Sequence, residues 1–140
     1  MQAEMALLFE SGITWMIARS LLEYRPMERT IFHRIIAHEL PADIVYEDGD
    51  VVAFKDIRPK APTHLLFVPK QYVASIAELT PETAHIPGML ILKAKEFATA
   101  HRIDGYKLVY HVGRGGGQEI YYLHLHFLSQ EKMVEEGAKN

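Results

Sequence analysis

From Thr30 onward the spacing of apolar residues changes along the chain, and each change predicts an element. Ile31, Phe32, Ile35 and Ile36 share one helical face, with Thr30 as N-cap and Pro41 as the limit. Ile44-Val-Tyr-Glu47 and Val51-Val-Ala-Phe54 flank Asp48-Gly-Asp50, which predicts a β-hairpin. Pro59 and Pro62 bracket a loop, and His64-Leu-Leu-Phe-Val-Pro69, nearly all apolar, predicts a central strand. Thr80-Pro-Glu82 predicts the start of the longest helix, with Thr80 as N-cap and Pro81 at the first helical position. That helix should run to about Ala100 with Ile86, Met89, Leu90 and Phe97 inward, and Pro87 disturbing its first turns. A strand at Tyr106–Tyr110, a glycine-rich loop at Val112–Gln118 and a last strand at Glu119–Leu128 follow. About five strands and two helices, with one helical crossover, predict an α+β fold around a mainly antiparallel sheet. From Glu131 the chain turns polar, and residues 131–140 read as a frayed tail.

Residues 1–29 differ from this domain, which spans 30–130. Met5-Ala-Leu-Leu-Phe9, Trp15-Met-Ile-Ala18 and Leu21-Leu22 are apolar, but Glu10 and Arg19 interrupt them. A spanning helix needs about 20 largely uncharged apolar residues, so no membrane span is expected. Glu4 precedes the apolar run and no small-residue cleavage site follows, which does not fit a secretory signal. Two readings stay open: an amphipathic helix docking on the domain or a partner, or upstream read-through before a start at Met27.

Composition narrows the chemistry. The 140 residues suit one domain, since domains usually run about 100–150 residues. There is no cysteine, which excludes disulfide frameworks, thiolate zinc fingers and cysteine nucleophiles. A net charge of −3 offers no basic field for a phosphate backbone, so nucleic acid is not an expected partner. Eight histidines are unusual at this length, and two of them sit together. In Tyr121-Tyr-Leu-His-Leu-His-Phe-Leu128, strand alternation puts Tyr122, His124 and His126 on one face and Tyr121, Leu123, Leu125 and Phe127 toward the core. Imidazole pairs beside a glycine-rich loop support two chemistries. One is attack on phosphorus, with amides of Gly115–Gln118 holding phosphate oxygens. The other is ligation of a metal by His-x-His. His33, His38, His85 and His101, on predicted helices or their ends, read as surface residues.

The run Gly116-Gly117-Gln118-Glu119-Ile-Tyr-Tyr-Leu-His124-Leu-His126 resembles the histidine triad (HIT) family. Thr30-Ile-Phe, Tyr46-Glu-Asp, Ala53-Phe-Lys-Asp-Ile57, Pro59-Lys-Ala-Pro-Thr-His64 and Val68-Pro-Lys70 are similar to its nucleoside phosphoramidase (Hint-like) branch. The resemblance covers about Thr30 to Ser129. It implies a HIT-like fold: a five-stranded antiparallel sheet and two helices, dimerising into a continuous ten-stranded sheet. It implies hydrolysis or transfer at the α-phosphorus of purine nucleotides such as AMP or GMP conjugates, by a cytoplasmic homodimer needing no metal or other cofactor. His124 would be the nucleophile, passing through a nucleotidyl-histidine. His126 and the Gly117–Gln118 backbone would hold phosphate, and His64 would stand behind the triad. Asp56 would bind ribose hydroxyls, and Ile31, Phe32, Ile35, Phe54 and Ile57 would sandwich the base.

Three positions depart from the pattern. Tyr122 replaces the first triad histidine, where it modulates the supporting shell. His111 stands in place of an asparagine near sugar and phosphate, and makes activity more pH-dependent if it contacts phosphate when protonated. Glu119 replaces a serine, and its carboxylate favours phosphoramidates of lysine-like amines over dinucleoside polyphosphates. Two alternatives remain beside this reading. One is a non-catalytic nucleotide-binding or dimeric interaction protein. The other is a cupin-like metal site from Gly117, His124, His126 and Glu131, whose glycine is one residue out of register.

Overall fold

The computed structural model describes residues 29–134; the N-terminal extension, with both readings of it, and residues 135–140 lie outside them. Helix α1 (Ile31–Ile36) starts where expected, because the Thr30 hydroxyl accepts the N–H groups of Phe32 and His33. It ends before Pro41, with His38 in a left-handed conformation at φ 59°. Strands β1 (Ile44–Glu47) and β2 (Val51–Lys55) form the hairpin. Its turn does not depend on a left-handed glycine. Asp48 Oδ1 accepts the N–H groups of Asp50 and Val51, so the aspartate closes the loop. The Asp48 carboxylate also holds the Tyr46 hydroxyl and Lys93, tying the hairpin to the long helix.

Strand β3 (Thr63–Pro69) is buried along its whole length and lies at the middle of the sheet. The long helix α2 runs from Ile86 to Ala100 rather than from Thr80. Residues 80–85 form turns instead, and regular helix begins only beside Pro87, which needs no N–H partner at that position. Strand β4 (Lys107–Val109) and strand β5 (Leu125–Ser129) complete an antiparallel sheet in the order β1-β2-β3-β5-β4. Because β5 lies antiparallel between them, β3 and β4 run the same way, joined by the α2 crossover.

Alternation divides the sheet between two cores. Val51, Ala53, Leu65, Phe67, Leu125 and Phe127 face α2, meeting Ile86, Leu90, Ala94, Phe97 and Ala98. Val52, Phe54, Leu66 and Val68 face the other way, against Phe32 and Ile35 of α1 and against Tyr122. Leu66 pairs with His126 across β3 and β5, so the imidazole emerges on the α1 face. The tail is not frayed at its start. Glu131 accepts the N–H groups of Asp104 and Gly105, and Val134 is bonded to His101.

Candidate active site

The last strand is shorter than its sequence pattern. Strand β5 begins at Leu125, and residues 119–124 approach it as irregular chain. That approach is held by the stretch Tyr72–Ala74 rather than by a neighbouring strand. Leu123 N–H donates to the Val73 carbonyl at 2.7 Å, the Tyr72 hydroxyl to the Tyr121 carbonyl at 3.0 Å, and Gln118 Nε2 to the Ala74 carbonyl at 2.8 Å. Leu123 is buried as expected, but Tyr121 is 45% exposed and not in the core, and Tyr122, expected on the site face, is buried instead. The Tyr122 hydroxyl donates to the Pro69 carbonyl at 2.6 Å, so this ring braces the approach from beneath. Burial, with Tyr72 nearby, pushes its phenol up to about 12, keeping it a donor.

Hydrogen-bond partners assign the protons on the histidines. His124 Nδ1 lies 2.6 Å from the Tyr122 carbonyl, which only accepts, so Nδ1 carries the proton and Nε2 a free lone pair. His64 Nδ1 accepts the Lys60 N–H at 3.1 Å, so its proton sits on Nε2. That Nε2–H donates to His126 Nδ1 at 3.0 Å, with Asp56 Oδ2 3.4 Å away. His126 is thereby left with its proton on Nε2, a buried atom with no hydrogen-bond partner. Two adjacent imidazoles, 4.9 Å apart between ring centres, therefore present opposite functions, a lone pair on His124 and a donor on His126.

Burial is the main reason that His124, His126 and His64 all bind protons less readily than an ordinary imidazole. His126 is pushed furthest, to about 4, because His124, His111 and His64 also crowd it with positive charge when protonated. His124 gains some protonated character from its bond to the Tyr122 carbonyl, but burial outweighs it.

The glycine-rich loop does not present the expected anion cradle. Gly116 and Gln118 donate their backbone N–H groups to the Gly113 carbonyl, and Gly117 donates to that of Arg114. Gly113 at φ 69° and Gly117 at φ 87° make this tight turn possible. The Gln118 side chain closes it, accepting from Gly113 N–H and donating to Ala74 and Ile120 carbonyls. Gln118 thus fixes the loop rather than touching a ligand with its side chain. His111 lies against Gly117 and packs on His126, the two rings tilted by 36° with centres 4.6 Å apart. Glu119 is exposed.

The five base-slot residues are not gathered into one closed slot. Phe32, Ile35 and Phe54 are core residues, and Phe32 meets His124 edge-on at 5.0 Å. Ile31 is 47% and Ile57 87% exposed, so neither belongs to that core. Asp56 Oδ1 caps its own turn through Arg58 N–H, while Oδ2 faces His64.

A family model described as "Scavenger mRNA decapping enzyme C-term binding" matches residues 29–139. Protein HitA of Neisseria gonorrhoeae is 47% identical over 103 residues, covering 73% of this chain and 96% of that relative. The chain belongs to the histidine triad family. A purine nucleoside phosphoramidase of Escherichia coli K12 is 43% identical over 103 residues, covering 72% of this HIT chain and 87% of its own length. The crystal structure of a HIT family hydrolase from Legionella pneumophila superposes with a TM-score of 0.70 at 41% identity, covering 76% of this chain and 96% of that one. The kinship of this HIT protein is therefore with hydrolases, and its five-stranded antiparallel sheet with two helices is the HIT fold.

The cupin-like metal set does not assemble in this HIT fold, because Glu131 commits both oxygens to the amides of Asp104 and Gly105. Asp56, His64 and His126 do bring ligand atoms within 4.8 Å of one another. Yet the Lys60 N–H on His64 Nδ1 keeps the proton on Nε2, the atom a metal would need. The trio is a hydrogen-bond relay.

Sequence reasoning missed Tyr72 and misplaced His33. The His33 ring packs at 4.6 Å against Tyr72 and 4.7 Å against Tyr122, and its Nδ1 accepts the Thr30 N–H at 2.9 Å. Its Nε2 is buried without a partner, so His33 is part of the wall behind His124 and not a surface residue. Helical periodicity alone points His33 outward; the capping role of a histidine three residues after Thr30 was the available signal. His101, expected at the surface, stacks on Phe97 at 3.9 Å.

The lowered proton affinities have a definite sign. A histidine whose folded pKa lies below its unfolded value, near 6.5, stays neutral as pH drops through that value. Its stabilising contribution is complete above about 6.5 and is lost progressively below it. The acid limb of kcat/KM set by His124 should accordingly fall below pH 6.5, measured as a pH–rate profile on the free enzyme. A limb at or above 6.5 would contradict the burial of His124.

Proposed function

We propose that this protein hydrolyses purine nucleotides at the α-phosphorus, with nucleoside 5′-phosphoramidates as substrates, through a covalent intermediate on His124. The observation that carries the reading is the opposed pair of nitrogens, a lone pair on His124 and an unpartnered buried N–H on His126. A nucleophile beside a fixed donor is what displacement at phosphorus requires, because charge grows on the non-bridging oxygens as the new bond forms. The 43% identity to a purine nucleoside phosphoramidase supports the substrate class.

In the first step His124 Nε2 attacks phosphorus and the amine leaves. In the second, water attacks the nucleotidyl-histidine and restores His124. His126 serves both steps without moving, its donor held by the His64 relay. Tyr122, in the first triad position, acts through its backbone carbonyl on His124 Nδ1. With Gly116, Gly117 and Gln118 amides engaged inside their loop, the phosphate relies on His126 and on any rearrangement of that loop on binding. Asp56 meets the ribose with the oxygen it does not commit to Arg58, and the base lies against Phe32, Ile35 and Phe54 and the exposed Ile31 and Ile57. Glu119, exposed after the loop, favours a cationic amine over an anionic leaving group.

The protein works as a homodimer in the cytoplasm. Ile91 and Leu92 expose apolar surface on α2, and among the described residues β4 is an edge strand of the sheet, which supports a ten-stranded sheet across two copies. Sedimentation is expected to give two chains per particle.

The test is turnover of an adenosine 5′-phosphoramidate whose amine fluoresces on release. Wild type is expected to turn over and His124→Ala to lose about 10⁴-fold or more, as removal of a nucleophile does. Turnover that survives His124→Ala contradicts the mechanism. Binding of AMP without turnover in wild type would favour a nucleotide-binding protein instead. Glu119→Ser should shift preference toward dinucleoside polyphosphates, and an unchanged preference would remove its assigned role.

A further inference from the structure

The two-step reaction needs a proton twice, and the three histidines named so far cannot carry it. His124 Nδ1 is bound to a carbonyl and its Nε2 becomes the bond to phosphorus. His126 gives Nε2–H to the phosphate and its Nδ1 is occupied by His64. Both nitrogens of His64 are engaged, one by Lys60 N–H and one by His126. All three are held toward the neutral form by burial. An alkylamine leaves phosphorus only if it is protonated on departure, and the water of the second step must lose a proton.

One imidazole in the cluster remains. His111 is half-buried, and its ring nitrogens make no hydrogen bond among the described residues. Its ring touches that of His126 with centres 4.6 Å apart, and His126 in turn lies 4.9 Å from His124. A phosphoryl group held by His126 Nε2–H and attacked by His124 therefore lies beside the ring that His111 contacts. The titratable groups that act on the same site as His111 are His126 from β5, His124 just before it and His64 from β3. Gly117 lies against the His111 ring without a side chain.

From this unpartnered ring in contact with His126 we infer that His111 is the proton carrier of the reaction, acid to the leaving amine and base to the incoming water. The inference rests on the function proposed above. As the bond from His124 Nε2 to phosphorus forms, the phosphorus–nitrogen bond to the amine breaks. Its electron pair takes the proton from His111 imidazolium, leaving His111 neutral. Water then attacks phosphorus and its proton passes to His111. The bond to His124 breaks, releasing the nucleoside monophosphate and returning both histidines to their starting states. No metal or redox partner enters the balance.

The experiment compares two substrates in wild type and His111→Asn: an adenosine 5′-phosphoramidate of an alkylamine, and the p-nitrophenyl ester of AMP, whose phenolate departs without a proton. The reading is kcat/KM, which reports only the steps through departure of the first leaving group; His111→Asn should lose about 10²-fold in it on the amine substrate, and about tenfold less than that on the ester. Equal losses on both substrates, or a larger loss on the ester, would overturn the inference while leaving the proposed function standing. Absence of turnover by wild type on either substrate would overturn both together. Should thermal melting show that His111→Asn is poorly folded, His111→Gln makes the same comparison with the same readings.

Discussion

The hydrogen bond from His124 Nδ1 to the Tyr122 carbonyl, 2.6 Å long, decides which nitrogen of His124 keeps a free lone pair, and much of the surrounding structure holds that carbonyl in place. Its residue is braced on one side by the Tyr122 hydroxyl on Pro69 and on the other by the Tyr72 hydroxyl on the preceding carbonyl. Val73 and Ala74 secure the flanking positions through Leu123 and Gln118. A carbonyl that moved by an ångström would weaken the bond steeply, and the imidazole would then be free to hold its proton on either nitrogen.

A second chain of bonds makes the neighbouring imidazole opposite in character. Lys60 N–H fixes His64, and His64 fixes His126, so the donor on His126 originates in a backbone amide in the loop between β2 and β3. Register explains why the two chains meet. Leu66 pairs with His126, and His64 pairs with Leu128, which sets the two rings diagonally on the face that also carries α1. The same face receives Phe32 against His124, so the apolar core of this face and the His124 and His126 nitrogens belong to one surface.

What sequence made legible was what depends on local periodicity. The hairpin around Asp48, the central β3 and the face on which His126 lies follow from alternation. What it hid depends on which distant group supplies a hydrogen bond. Residues 119–124 alternate like a strand, yet pair with Tyr72–Ala74, about fifty residues earlier, and so leave the ladder. The glycine-rich loop looked like a phosphate cradle, but its amides turn inward because Gly113 and Arg114 offer nearer acceptors. His33 has the spacing of an outward residue on a six-residue helix, and only the tyrosines brought against it by the fold bury it. Thr80 and Pro81 carry good signals for a helix start, but Pro87 displaces the regular helix to Ile86.

Backbone acceptors and donors assign opposite tautomers to His124 and His126. Ring-nitrogen chemical shifts of ¹⁵N-labelled protein near neutral pH read those tautomers. A protonated Nδ1 and bare Nε2 are expected on His124, with a bare Nδ1 and protonated Nε2 on His126. A bare Nδ1 on His124, or the same tautomer on both rings, would contradict that assignment.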